Sequence, residues 1–357
     1  MRISTASPLS GFLLVICSFG CAALIAHSAW DKRDPDMRAA VQETVSIFAK
    51  VPKVAAIATD RKGSVYLLSR ANNTITKISP AGLIEKVIGP TLEHGYQIQV
   101  PSAALQPLHV DHEGRIYIFS AGTLFIINED GKVLNADAQG TIPPGFRLGF
   151  VTWIGTRTDG GIYVFPSLEG KKSLVGVIGL DGARKGSFGD RLFSEKSGSG
   201  VFRLAVDRRN NLYAFPTDFA AMVKYGPSGE LADYHEPRLS PALEQIVASQ
   251  NLSLDSALRL DEQGREDISL GGFVVFLDVK VLSNDNILCL TGDNSLVWYD
   301  QAGIKLRELN LAAYMFQHRS ASVPPGSIQQ FALSPDDRYL FGIDGDASNI
   351  YKIDLVH

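Results

Sequence analysis

The 357-residue chain has only three cysteines, and two of them, Cys17 and Cys21, fall in its first apolar stretch. Past that stretch Cys289 stands alone, which excludes an internal disulfide. Stability must then come from core burial, which a chain of this length can supply. A basic surplus is also missing. Lys and Arg number 34 against 38 Asp and Glu, a formal net charge of −4, so the footprint of nucleic-acid binding is absent. With 45% hydrophobic and 20% charged residues, the composition excludes a disordered, a collagen-like and a polytopic membrane chain. No Gly-x-Ser-x-Gly elbow, Walker loop, dinucleotide fingerprint, Cys-x-x-Cys pair or His-Glu-x-x-His motif occurs, and no cofactor is implied.

The N-terminus carries an address. Arg2 is the one early charge, an apolar stretch runs from Leu9 to Ala26, and Ala26-His27-Ser28 sets small residues where a signal peptidase reads. Residues 1–28 are therefore expected to be a signal peptide cut before Ala29, with 29–43 as a linker. Two alternatives stay open. Residues 9–26 are long enough to remain as a membrane anchor, which Lys32-Arg33 beyond them favours, and Gly20-Cys21 offers a lipidation site. Each implies export to a periplasmic or extracellular space, with membrane contact only through this segment.

The remainder repeats one unit six times. Its second strands read Val65-Tyr66-Leu67-Leu68, Ile116-Tyr117-Ile118-Phe119, Ile162-Tyr163-Val164-Phe165, Leu212-Tyr213-Ala214-Phe215, Ile287-Leu288-Cys289-Leu290 and Tyr339-Leu340-Phe341. Each follows a turn pair: Lys62-Gly63, Glu113-Gly114, Asp159-Gly160, Arg209-Asn210, Asn284-Asp285 or Asp336-Asp337. Gly, Asn and Asp tolerate the positive φ that such hairpins need. Third strands follow at 75–78, 124–127, 174–178, 222–225, 296–299 and 350–353, and glycines 82, 131, 182, 229 and 303 turn five of them into a fourth. The second strands start 51, 46, 50, 75 and 52 residues apart, the period of four-stranded propeller blades.

The sixth copy ends after its third strand, which would leave an open edge. Residues 44–50 form a spare strand ahead of the first copy. The expected fold is therefore all-β, a six-bladed β-propeller over 44–357 whose last blade is closed by the N-terminal strand. The stretches Ala205-Val206-Asp207 to Asn211-Leu212-Tyr213-Ala214, and Leu333-Ser334-Pro335-Asp336-Asp337-Arg338-Tyr339-Leu340, resemble NHL-repeat and TolB-like six-bladed propellers. That resemblance implies a scaffold, not a chemistry.

A propeller's innermost strands line its channel. Aligned on the turn, they give an apolar column, Ile57, Leu108, Ile154, Leu204, Val279 and Phe331. The flanking columns are Ala56, Pro107, Trp153, Arg203, Asp278, Gln330 and Ala58, His109, Gly155, Ala205, Lys280, Ala332, expected on the opposite, channel-side face. The residues that break the small-residue pattern, Trp153, Arg203, Asp278, Lys280 and Gln330, are the expected ligand contacts; a blade-tying ion network is the structural alternative. Long connections between blades, about 89–105, 140–150, 190–201, 236–272 and 311–327, share the mouth face. Ser240-Pro241 in the longest predicts a short helical insertion between blades four and five.

Metal signals are weak. In His109-Val110-Asp111-His112 the second His falls in the turn, and Asp344-Gly345-Asp346-Ala347-Ser348-Asn349 lacks the Gly and Glu of a calcium loop. No metal site is assigned. The expected function is an exported module that binds a protein, peptide or glycan on its long-loop face. The alternative is a metal-dependent, lactonase-like hydrolase or lyase, whose resemblance implies channel Glu, Asn and Asp ligands. Asp278 is the one acid in these columns, and cations flank it.

Overall fold

The computed structural model describes residues 45–100, 107–149, 151–165, 175–188, 202–216, 222–235, 276–318, 327–344 and 348–355. The export segment, the linker and the helix expected within 236–272 lie outside these. Thr44–His357 form one compact unit.

Strand β1 (Val45–Lys50) comes first, ahead of blade one, which is β2 (Val54–Thr59), β3 (Val65–Ser69), β4 (Thr74–Ile78) and β5 (Ile84–Ile88). Blade two has β6 (Leu108–Val110), β7 (Ile116–Ser120) and β8 (Thr123–Ile127). Blade three is β9 (Trp153–Thr156), β10 (Ile162–Phe165), β11 (Val175–Ile178) and β12 (Arg184–Phe188). Blade four is β13 (Phe202–Val206), β14 (Leu212–Pro216), β15 (Met222–Tyr225) and β16 (Leu231–His235). Blade five is β17 (Phe276–Val281), β18 (Ile287–Thr291), β19 (Ser295–Tyr299) and β20 (Lys305–Asn310), and blade six is β21 (Ile328–Leu333), β22 (Tyr339–Asp344) and β23 (Asn349–Asp354). Within each blade neighbours pair antiparallel in sequence order. The expected closure is present: β1 pairs antiparallel with β23, Val45 opposite Ile353 and Lys50 opposite Asn349.

The turn chemistry explains the repeat. In all six turn pairs the second residue, Gly63, Gly114, Gly160, Asn210, Asp285 or Asp337, has positive φ. In three blades the residue that follows the first strand is an Asp whose carboxylate organises the hairpin. Asp111 accepts the N–H groups of Glu113 and Arg115 and the Tyr117 hydroxyl at 2.9 Å. Asp60 with Tyr66 and Asp207 with Tyr213 repeat the arrangement. Burial and the neighbouring carboxylate push the Tyr66 phenol up to about 12 and raise Tyr117 and Tyr213 as well, so each hydroxyl stays a donor at neutral pH. This pairing accounts for the second-strand tyrosines of blades one, two and four, while Tyr163 in blade three accepts from Arg157 and donates to the Asn210 carbonyl.

Both faces of each blade are buried against its neighbours. Ile57 packs with Ala332 and Phe341 across blades one and six, Leu204 with Tyr163 and Phe165 across three and four, and Ala205 and Tyr213 with Phe276 and Val279 across four and five. Further clusters join blades one to three and five to six.

Two features depart from the sequence expectation. Blade two has no regular fourth strand among the described residues: past Gly131 two isolated bridges pair with β8, Ile127 to Val133 and Thr123 to Arg147. Asn135 fills in, its buried amide accepting from the Ile126 N–H at 3.0 Å and donating to the Leu124 carbonyl at 2.9 Å. The connection after blade five, expected as loop, contains α1 (Leu311–His318). Asn310 caps it through the Ala313 N–H, and Leu311, Tyr314 and Met315 are buried among residues of blades five and six.

Deleting residues 40–50 is expected to expose the β23 edge and to abolish a cooperative melt. A truncated chain that stays monodisperse and melts at the parent temperature would show that closure does not hold the ring. Replacing Asn135 with Leu orphans a buried N–H and a carbonyl, at about 1–3 kcal/mol for each. Urea unfolding measures the loss, and an unchanged midpoint would contradict this role.

Candidate functional site

The blades converge toward the axis, so facing inner strands leave little room between them. Ile57, Ile154, Leu204, Val279 and Phe331 are buried, and Leu108 is half-buried. The flanking columns correct the expectation of a channel-side face. Ala56 and Ala58 pack in the core with blade two, Ala205 with blade five and Ala332 with blade one. They face the next blade, and their smallness reflects that convergence.

The larger residues at these positions reach past that boundary. Register sets Trp153 opposite Phe165, Arg203 opposite Phe215 and Asp278 opposite Leu290, one height on three consecutive blades. Trp153 is half-buried, and its indole lies across Gly155, where an added Cβ would stand 2.3 Å from the ring. A glycine is needed there for the indole to lie flat. Arg203 donates from Nε to the Leu277 carbonyl at 2.6 Å. Leu277 is the extra residue of a bulge between Phe276 and Asp278, and a bulge takes a residue out of the ladder. Burial lowers the Arg203 pKa, and the Asp278 charge partly offsets this.

Asp278 ties blade five to blade six. One oxygen accepts the Val279 N–H and the Lys280 ammonium, both at 2.8 Å, and the other accepts the Phe331 N–H at 3.0 Å. Lys280, one pleat along and half-exposed, also stands 5.5 Å from the centre of the Phe331 ring. Gln330 is half-buried at the start of β21, beside a bulge between Ile328 and Gln330. The structure thus brings Arg203, Asp278 and Lys280 into one electrostatic group, with Trp153 and Gln330 on the blades either side.

Sequence reasoning set His109 aside as a weak metal ligand. In the structure its Nε2 lies 2.8 Å from Thr156 Oγ1 of blade three. Burial, helped by the Lys280 charge and opposed by Asp111, lowers its pKa to about 4, so the ring is neutral at pH 7. The signal was in the column itself, where His109 interrupts a run of Ala and Gly.

The donor set does not fit a divalent cation. Asp278 is the one carboxylate in the inner-strand columns, and a metal would have to displace both Lys280 and the Phe331 N–H from it. Among the described residues no group of three His, Cys, Asp or Glu stands together. A separate open cleft of about 640 Å³ lies on the short-turn face, lined by Arg157, Asp159, Leu180, Lys185 and Pro227. Arg157 is occupied there by Asp159, the Tyr163 hydroxyl and the Pro227 carbonyl.

No protein-family model matches the chain, and no curated protein sequence matches it. Solved structures do resemble it. Virginiamycin B lyase from Staphylococcus aureus is 12% identical over 87% of this chain and 99% of its own, with a TM-score of 0.52. A streptogramin B lyase is 12% identical over 87% and 97%, TM-score 0.51. A gluconolactonase from Xanthomonas campestris is 13% identical over 87% and 89%, TM-score 0.50. At such identities the likeness establishes the fold.

The neutral His109 sets a pH dependence. The unfolded chain takes up this proton near pH 6.5, the folded chain near 4. Protonation therefore favours unfolding, and the stabilisation present above about pH 6.5 drains away as pH falls toward 4. The wild type should lose more stability across this window than His109→Gln, measured by urea unfolding at each pH. A pH-independent difference between the two would refute the assignment.

Proposed function

We propose that the chain is an exported binding propeller, related to NHL-repeat and TolB-like propellers, that takes a protein, peptide or glycan at its channel mouth. One observation carries the reading. Three consecutive inner strands present Trp153, Arg203 and Asp278 at one height, with Lys280 a pleat along and Gln330 on the next blade. An aromatic plate beside charged donors and acceptors suits a polar ligand with an apolar body. Export rests on residues 1–28, either cleaved or retained as an anchor through 9–26. Among the described residues no helix is long and apolar enough to cross a membrane.

The second reading is a lactonase-like hydrolase or lyase, favoured by the fold shared with virginiamycin B lyase and gluconolactonase. Against it stands the occupied carboxylate of Asp278.

A thermal-shift screen of divalent metals, sugars, lactones and peptides separates the two. On the binding reading, metals and chelators leave the melting temperature unchanged. A ligand at 100 times its Kd adds about 2.7 kcal/mol, roughly 4 °C for a chain of this size. Trp153→Ala should remove that shift with modest loss of basal stability. Saturable stabilisation by a metal, together with lactone turnover, would select the enzyme reading instead.

A further inference from the structure

Arg203 has more donors than its role between blades uses. Its Nε is committed to the Leu277 carbonyl, while among the described residues neither terminal guanidinium nitrogen has an acceptor. The group is mostly enclosed by protein, which lowers its pKa, yet neither terminal nitrogen is sealed from water without a partner. A half-buried fork that is open to water and has no acceptor holds hydrogen-bond capacity that the tie between blades does not use. On the next blade Lys280 spends one of three donors on Asp278, the carboxylate whose charge also acts on Arg203. The inner strands thus set two cations against one carboxylate, and His109 adds no charge at neutral pH.

We propose that the fork of Arg203 and the ammonium of Lys280 together bind a carboxylate group of the ligand, whose apolar or ring body lies on the Trp153 indole. This rests on the channel-mouth reading and names the ligand's chemistry. The planar fork matches a carboxylate in two parallel N–H···O bonds, which a neutral hydroxyl or amide cannot reproduce. Asp278 bonds Lys280 directly, and its charge favours the protonated Arg203. Its own negative charge works against the incoming anion.

Calorimetric titration of the full chain tests this with four probes: N-acetyl-L-phenylalanine, its primary amide, D-glucuronate and glucose. The phenylalanine carboxylate, a mimic of a peptide terminus, should bind at least about tenfold tighter than its amide. Lys280→Gln and Arg203→Lys should erase that preference. Asp278→Asn should tighten carboxylate binding. The preference should also shrink as salt is raised, in line with a Debye length that falls from about 30 Å at 0.01 M to about 8 Å at 0.15 M. Should Arg203→Lys fail to fold, Lys280→Gln decides, since its half-exposed side chain is the less structural of the two. Glucuronate binding with the same variant pattern supports the carboxylate site with a sugar acid as its source. If amide or glucose binds as well as the acids and Trp153→Ala removes it, the channel-mouth reading stands and the carboxylate inference falls. If no probe binds at about 10 mM, where even a Kd near 1 mM would be saturated, both fall.

Discussion

Everything in this chain depends on the need of each blade to bury two apolar faces. A single twisted sheet cannot do this alone, and a row of such sheets leaves two faces bare at its ends. Bending the row into a ring removes both ends, but the ring must be fastened. Here the fastening is main-chain pairing between β1 and β23. It lets Val45 join Ile353, Tyr351 and Leu355 in the core between blades five and six. Neither β1 nor β23 contains a cysteine to reinforce the join, and the one cysteine among the described residues, Cys289, is a free, buried thiol in blade five. The last blade therefore depends on a strand some 300 residues away in sequence, and long-range closure of this kind is slow to form.

Ring geometry then dictates chemistry at the axis. Strands that diverge at the rim crowd at the centre, so Ala56, Ala58, Gly155, Ala205 and Ala332 are what fits between blades. A long polar side chain at such a position has to extend beyond the crowded layer, and it must find partners there. His109 finds Thr156, Arg203 finds the bulged Leu277 carbonyl, and Asp278 finds the Phe331 N–H. Each contact reaches the next blade in ring order. Structural tie and ligand contact are thus not exclusive readings of one residue: Arg203 ties through Nε and leaves its terminal nitrogens without an acceptor among the described residues.

How much of this the sequence discloses follows from the range of the interactions involved. The hairpins are local, and the six turn pairs, the tyrosine strands and the third strands stand where the pattern puts them. Closure was legible too, because an unpaired edge at 350–353 demands a partner and 44–50 was the spare strand. Blade two was not legible beyond Gly131, because Asn135 replaces a strand with one side-chain amide, and an amide leaves no periodic trace. Helix α1 was missed because its apolar residues answer to the wedge between two blades, not to a neighbour in sequence. The columns marked Arg203, Asp278 and Lys280 as unusual, but which donors remain unpaired is set by bulges that periodicity does not reveal.

The two faces of the ring differ in how far the scaffold uses their side chains. On the short-turn face, side chains are consumed by the scaffold: Asp60, Asp111 and Asp207 each clamp a hairpin and a tyrosine, and Arg157 spends its guanidinium on Asp159, Tyr163 and Pro227. A cleft exists there, yet Arg157, one of the two cations that line it, is already neutralised and has little left to offer a ligand. At the opposite ends of the inner strands the balance reverses. Bulges free main-chain groups, the connections lengthen, and Arg203 and Lys280 hold donors that the fold does not use. On the proposed reading, a rigid lower rim beneath under-committed donors lets binding energy go to a ligand instead of to ordering the site.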